Sequence, residues 1–177
     1  MTAYAAPPQK SGMPGWLIAI IVVVVLLVAM IAVFVVLAMV GVRRYVKVAK
    51  TAEALNSVSS IARTAASEYD ANEKLCRSAS HPVPTSMSLV SGKKYQSQPS
   101  DWNSDPPDTG FKCLNFEIGT PQYYQYDYKL SSPDSFEAIA HGDLDGNGVS
   151  SEFKLGGRVA SGVVVIAPNV TQTNPDE

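Results

Sequence analysis

An acidic turn in the second half of the chain carries the residue types of a calcium-binding loop. In the stretch DLDGNGVSSEFK, Asp143, Asp145 and Asn147 occupy the first, third and fifth positions of such a loop, and a glycine occupies the sixth. Glu152 comes two residues before the twelfth position, where a bidentate glutamate is normal, and Lys154 stands at the twelfth. The flanking sequence is typical of strands and not of helices, so the alternative is a plain hairpin turn. We favour the turn and keep a weak calcium site, formed by Asp143, Asp145, Asn147 and Glu152, as the second hypothesis.

The two cysteines, Cys76 and Cys113, are the other residues with a defined chemistry. Their number is even, and no CxxC spacing indicates a metal site. A disulfide between them would close the Pro- and Ser-rich stretch that separates them, and it would require an oxidising compartment. Two unrelated free thiols remain the alternative. The pairing state of these cysteines therefore bears on where the domain is located.

No catalytic constellation is evident in the sequence. His81 and His141 each stand alone, without a nucleophile or a metal-ligand cluster beside them. Phosphate-binding loops and nucleophile elbows are missing as well. The tyrosines of the stretch YYQYDY could form a binding face, although packing of a half-buried strand is the simpler interpretation. We predict that the protein is not an enzyme and that calcium is the only cofactor to consider.

A long apolar segment near the N-terminus has the composition of a membrane anchor. Residues 16–42 are 27 residues without a charge. About 20 helical residues cross a bilayer core, and a secretory signal has an apolar region of only about 7–15 residues. The segment therefore predicts a retained transmembrane helix, preceded by a short leader of residues 1–15.

The following residues, 43–75, predict an amphipathic stalk helix that continues the span. Apolar residues recur at steps of three and four, which is the spacing of one helix face. The other faces carry Lys47, Lys50, Glu53 and further polar residues. We expect the apolar face to be buried against a sheet, with a free juxtamembrane coiled coil as the alternative. The face consists of Val48, Ala52, Leu55, Val58, Ala62, Ala65 and Tyr69.

The rest of the chain has the pattern of a loop followed by a small antiparallel sheet. Residues 76–110 are rich in Ser, Pro, Asp and Gly and predict a long loop, with one short element around residues 86–90. The sheet should occupy residues 111–168, and residues 169–177 should be a disordered tail. The predicted fold class is therefore α+β. The predicted strands are 111–118, 123–130, 135–142, 150–157 and 162–168, with Tyr124, Tyr126, Tyr128 and Leu130 on one face of the second.

The charges are distributed unevenly about the span. All 16 acidic residues follow it, and from Thr51 onward nine basic residues stand against those 16, a balance of −7. Such an acidic domain argues against nucleic acid as a partner. Arg43, Arg44, Lys47 and Lys50 follow the span, which by the positive-inside rule places the C-terminal domain in the cytoplasm.

The element order resembles that of type IV pilins and pseudopilins, in particular those of the delta-proteobacterial type. The resemblance is carried by the apolar helix running into AKTAEALNSVSSIARTAASEYDAN, by GFKCLNFEIGTPQYYQYDY and by FEAIAHGDLDGNGVSSEFKL. It implies a structural protein of the bacterial inner membrane, a minor subunit of a type IV pilus or of a type II secretion pseudopilus. Its partners would be lipid and other pilin-like subunits, contacted through the N-terminal helix. It also implies a periplasmic or extracellular C-terminal domain, opposite to the positive-inside rule.

The N-terminus departs from the pattern of this family. Lys10 and Gly12 form a loose prepilin processing site with cleavage between Gly12 and Met13, but Leu17 stands where the mature chain of the family has a glutamate. The alternative is a single-pass protein that keeps its leader. Such a protein could be a monomeric, signal-anchored extracytoplasmic module that binds or senses a ligand.

Overall fold

The computed structural model describes residues 14–175 and 177. The predicted processing site at Gly12 and Met13 lies outside these residues. The chain divides into two compact units, Met1–Arg44 and Tyr45–Glu177. The first helix, α1, spans Gly15–Asn72 and contributes to both.

The apolar part of α1 is, among the described residues, the one helix long and apolar enough to cross a membrane. This part runs from Gly15 to Met39, and none of its apolar side chains is buried by protein. A helix that is apolar on all sides and unburied by protein matches a lipid-facing span by length and composition.

In the second unit, α1 packs its apolar face against the sheet. Ala54, Val58, Ile61, Ala62 and Ala65 are at most 1% exposed and belong to one core together with residues of the strands. The predicted stalk is therefore packed and is not a free coiled coil. The start of the predicted face is wrong, because Val48 and Ala52 are exposed.

Five antiparallel strands form one sheet, and the structure confirms the α+β class. The strands span β1 Gln125–Ser132, β2 Ser135–Gly142, β3 Ser151–Ala160, β4 Val163–Ile166 and β5 Thr171–Thr173. Their order in the sheet is β1-β2-β3-β4, and β5 pairs with a separate part of β3.

Alternate side chains from Tyr124 into β1 enter the hydrophobic core, while Gln125 and Asp127 between them are also buried. Tyr124, Tyr126 and Tyr128 are fully buried, as the period-two pattern predicted. The ring of Phe136 on β2 lies 5.7 Å from that of Tyr128, and Phe153 of β3 meets Tyr124 edge-on at 5.6 Å. The tyrosine-rich stretch is thus mainly core packing.

The first predicted strand, 111–118, is a correction. Residues Gly110–Cys113 form a short helix, α3, and the sheet begins only at Gln125. Phe111 and Leu114 lie three residues apart and are both buried, which is helical and not strand spacing. The ring of Phe111 meets that of Trp102 edge-on at 4.9 Å, so this segment completes the core as a turn.

The loop that precedes α3 contains two short elements. A 3₁₀ turn at Met87–Leu89 falls within the predicted range 86–90, whereas the short helix α2, Pro99–Trp102, was not predicted. Trp102 is only 1% exposed and packs against Phe111 and Phe116. The loop is therefore held by a buried aromatic cluster.

The two edges of the sheet are finished differently. Along β1, Val83 exchanges backbone hydrogen bonds of 2.8 Å with Tyr126, and the amide of Ala79 donates to the carbonyl of Tyr128. On the other side of the sheet, β5 pairs with Glu152–Lys154 of β3, which corrects the predicted disorder of the tail. Strand β4 has β3 as its only partner among the described strands.

Candidate functional site

The acidic turn joins β2 to β3, and Asp143 organises it. Oδ1 of Asp143 accepts hydrogen bonds from the amides of Gly146 (2.8 Å) and Asn147 (3.1 Å). Oδ2 accepts from the amide of Gly148 (3.1 Å) and from the hydroxyl of Ser91 (2.7 Å). Both oxygens therefore face N–H and O–H donors, which is the arrangement of a side-chain-stabilised turn.

The environment of Asp143 favours its ionised form. The carboxylate is buried, with 5% of the residue exposed. The hydrogen bond from Ser91 is the main cause that lowers its pKa, and the three backbone amides lower it further against the cost of burial.

The other predicted calcium ligands point to other partners. Asp145 forms an ion pair of 3.8 Å with Lys47 of α1, and the side-chain amide of Asn147 donates to Glu177. Glu152 lies opposite His141 in the strand register and pairs with Lys154 at 2.9 Å. Among the described residues, no three His, Cys, Asp or Glu side chains form a group suited to a metal. The geometry supports the hairpin turn better than an oxygen cage for calcium.

A second polar site joins α1 to the beginning of the sheet. Oε1 of Glu53 accepts a hydrogen bond of 2.8 Å from the amide of Tyr123 and one of 3.2 Å from the hydroxyl of Tyr126. Desolvation is the largest influence on this carboxyl and raises its pKa, although the hydrogen bonds and Lys94 act in the opposite direction. The contact fixes the helix against the sheet with a half-buried acceptor.

Burial also raises the pKa of the core tyrosines. Burial is the main cause at Tyr124, whose pKa rises to about 12, and at Tyr126 and Tyr128, whose pKa values also rise. These phenols therefore stay protonated at neutral pH and act as hydrogen-bond donors or as packing groups.

Two lysines from different elements share one aromatic ring. The ammonium groups of Lys50, on α1, and Lys94, in the loop, lie 4.4 and 4.7 Å from the ring centroid of Tyr123. Contacts of this length are cation–π interactions. They add to the contact at Glu53 and hold the loop, the helix and the start of the sheet together.

The predicted cysteine pair is a disulfide. Cys76 and Cys113 are bonded, with Cα atoms 5.9 Å apart and a sequence separation of 37. Cys76 follows the end of α1 and Cys113 ends α3, not a strand as predicted. The bond therefore closes the loop against the core.

The two histidines do not form a site together. His81 exchanges a hydrogen bond of 3.1 Å with the hydroxyl of Ser104, but its other ring nitrogen lies 3.3 Å from the carbonyl oxygen of Pro82 and not against a carboxylate. A nucleophile–base–acid triad is therefore not assembled there. His141 lies on β2 at 3.8 Å from Glu152, and burial is the main cause that lowers its pKa.

The sequence pattern missed Glu53 as a residue that joins α1 to the sheet. It lies among polar residues of the stalk and next to the buried Ala54, so its type alone indicated the solvent face. The one available signal was its position at the edge of the apolar face, where a side chain can reach a packed neighbour.

Comparison with known proteins gives no relative for this fold. No family model, no curated protein and no solved structure matches the chain. Function must therefore be argued from the residues and their arrangement.

Proposed function

We propose that the protein is a membrane-anchored, pilin-like structural subunit. Its apolar helix would hold it in a bacterial inner membrane and contact other subunits, and its packed domain would project from the membrane. The observation that carries the proposal is α1, one helix in which an exposed apolar segment is followed by a segment packed on an antiparallel sheet. This is the element order on which the resemblance to pilins and pseudopilins depends.

The disulfide supports a domain outside the cytoplasm. A bond between Cys76 and Cys113 persists in an oxidising compartment, whereas cytoplasmic thiols are kept reduced. The basic residues after the span favour the opposite orientation by the positive-inside rule. We give the disulfide more weight, because it closes the loop that supplies Trp102 and Phe111 to the core.

The arrangement of the polar groups supports a structural role and not a catalytic one. Asp143, Glu53 and Tyr126 use their polar atoms to fix a turn and to join α1 to the sheet. Such groups stabilise a scaffold, and they leave no aligned nucleophile, base and orienting carboxylate among the described residues.

The test of this function is where the native chain is found. Cells that make the full chain are sheared, surface filaments are collected, and the chain is detected by antibody in the filaments and in inner-membrane vesicles. An integral inner-membrane protein without a filament role serves as the control for contamination. We expect the chain in the sheared fraction without that control protein. Recovery in the vesicles alone would favour the monomeric signal-anchored module.

The orientation has a separate test. A cysteine at the exposed position Ser100 is treated in intact cells, whose outer membrane has been permeabilised, with a maleimide that does not cross the inner membrane. We expect labelling before lysis, and labelling of Cys76 and Cys113 only after a reductant is added. Labelling of the introduced cysteine only after lysis would place the domain in the cytoplasm.

A further inference from the structure

The sheet has one protected edge and one open edge. The edge at β1 is covered by the segment that contains Ala79 and Val83, whose backbone groups pair with those of Tyr126 and Tyr128. The edge at β4 has no such cover among the described residues. An uncovered edge strand presents unpaired N–H and C=O groups that can pair with another strand.

The open strand also lacks the usual charged protection. Val163 and Val165 are 54% and 47% exposed. No charged residue occurs from Val159 to Pro175, so neither the strand nor its flanks carry the lysine or glutamate that normally disfavours edge pairing. Four consecutive β-branched residues make this strand well suited to a ladder.

The pairing of β4 with β3 decides which backbone N–H and C=O groups of β4 point outward and can pair with another strand. The amide of Ala167 donates to the carbonyl of Gly156 (2.9 Å), and Val165 lies opposite Arg158 in the same register. Hydrogen-bonded pairs alternate along an antiparallel ladder, so Val165 also directs its backbone toward β3. The intervening residues Val164 and Ile166 therefore direct their N–H and C=O groups outward.

We propose that β4 pairs with β4 of a second copy of this chain, antiparallel across a two-fold axis at Val165. In this register Val164 lies opposite Ile166 of the second copy, and the symmetric pair forms as well, so that each pair exchanges two backbone hydrogen bonds. With the axis at Val164, Gly162 would have to pair with Ile166 of the second copy, but the φ of +78° at Gly162 is not extended. With the axis at Ile166, Val164 would have to pair with Pro168 of the second copy, which has no N–H. The Val165-centred register alone avoids both.

A second copy is the occupant that the chemistry of the strand favours. The side chains of β4 are neutral and apolar, so the strand complements itself without opposing like charges. A single span confines copies to one membrane, which raises their effective concentration for a contact of only four residues a side. This confinement rests on the membrane anchor of the proposed function, whereas the strand pairing itself does not depend on assembly into a filament, so the dimer and the filament are tested by separate experiments.

The test is cysteine cross-linking of the full chain in native membranes. In the proposed register Val165 faces its own symmetry mate in a non-hydrogen-bonded pair, with Cα atoms about 4.5 Å apart, which a disulfide can bridge. Val163 is on the same face and similarly exposed, but its symmetry mate lies four residues along the ladder, or about 13 Å away. Under mild oxidation we expect Val165→Cys to give a covalent dimer on a non-reducing gel and Val163→Cys to stay monomeric.

A second substitution separates pairing from random collision. Val164→Pro removes an outward N–H and leaves the inward bonds to β3 in place, since proline is tolerated on the solvent side of an edge strand. In the Val165→Cys background we expect it to abolish the dimer while the melting temperature stays close to that of the parent. The proposal is overturned by absence of the Val165→Cys dimer, by equal cross-linking at Val163, or by a dimer that persists with the proline. If the proline variant melts early, Ile166→Pro is used in its place.

Discussion

The carboxylate of Glu53 on α1 accepts a hydrogen bond of 2.8 Å from the backbone amide of Tyr123, 70 residues further along the chain. The same oxygen accepts from the hydroxyl of Tyr126, whose side chain is fully buried beneath the helix. The carboxyl group of Glu53 thus joins the helix to the first strand. In water this group is ionised at neutral pH, whereas here it is partly desolvated.

Glu53→Gln tests the cost of that desolvation. Because burial raises the folded pKa of Glu53 above its ordinary value of 4.5, the native state favours the protonated carboxyl. Its contribution to stability is therefore present at low pH and lost as pH rises through the folded pKa. The glutamine variant keeps the acceptor oxygen and carries no charge. We expect it to match the parent near pH 4 and to exceed it at pH 7 in free energy of unfolding, measured by denaturant titration.

A second variant and the pH dependence both test this role of Glu53. Glu53→Ala removes the acceptor and should be destabilising at both pH values, because the amide of Tyr123 loses its partner. A difference between parent and Glu53→Gln that stays constant with pH would contradict the assigned pKa direction.

Ile61→Ala measures the packing of the helix on the sheet. Ile61 is 0% exposed within the shared core, so its truncation should lower the free energy of unfolding by about 2–5 kcal/mol. Val48→Ala is the matched control on the same helix, since Val48 is 59% exposed and its truncation should change stability by less than about 0.5 kcal/mol. Equal denaturant midpoints for the two variants would mean that α1 is not packed as described.

Adjacent glycines of β3 should respond differently to a methyl group. A Cβ at Gly157 would collide with the buried ring of Phe136, whereas one at Gly156 meets only the carbonyl oxygen of Phe136 at 3.8 Å. We expect Gly157→Ala to lower the melting temperature through a loss of about 1–3 kcal/mol. Gly156→Ala should be neutral or slightly stabilising, because it reduces the freedom of the unfolded chain. Similar melting temperatures would argue against the close packing of the Phe136 ring on Gly157.

Asp143→Ala tests the acidic turn. Four donors lose their acceptor, and we expect a loss of about 1–3 kcal/mol. The lowered pKa of Asp143 means that its contribution is present above the unfolded pKa and fades as pH falls through the folded one. Asp145→Ala is the control, since its pair with Lys47 is partly exposed and should be worth less than about 1 kcal/mol.

Calcium is the second variable in that experiment. We expect millimolar calcium to leave the melting temperature of the parent unchanged, because the oxygens of Asp143 already accept N–H and O–H groups. A calcium-dependent rise in the parent that disappears in Asp143→Ala would restore the weak calcium site.

The sequence predicted elements whose periodicity is long and uninterrupted, and it failed where tertiary contacts decide. The apolar part of α1, the face of Val58 and Ala65, and the strand at Ser135–Gly142 follow directly from spacing. The imperfect alternation after Gly110 predicts a strand, whereas packing of Phe111 on Trp102 selects a helical turn. The position of residues 169–177 at the end of the chain predicts disorder, yet Thr171–Thr173 pair with β3. Glu53 could not be recognised, since its two donors are brought to it only by the fold.

The disulfide keeps the domain covalently intact after a protease cuts the loop that it closes. A single cut between residues 77 and 112 divides the polypeptide, but the bond between Cys76 and Cys113 keeps the fragments covalently joined. The pairing of Val83 with Tyr126 and the burial of Trp102 hold the cut segments in place on either side of the exposed Ser88. A nicked molecule therefore migrates as one species until a reductant is added, and then as two. A cut in this loop therefore releases no fragment, and it is detected on a gel only after the disulfide has been reduced.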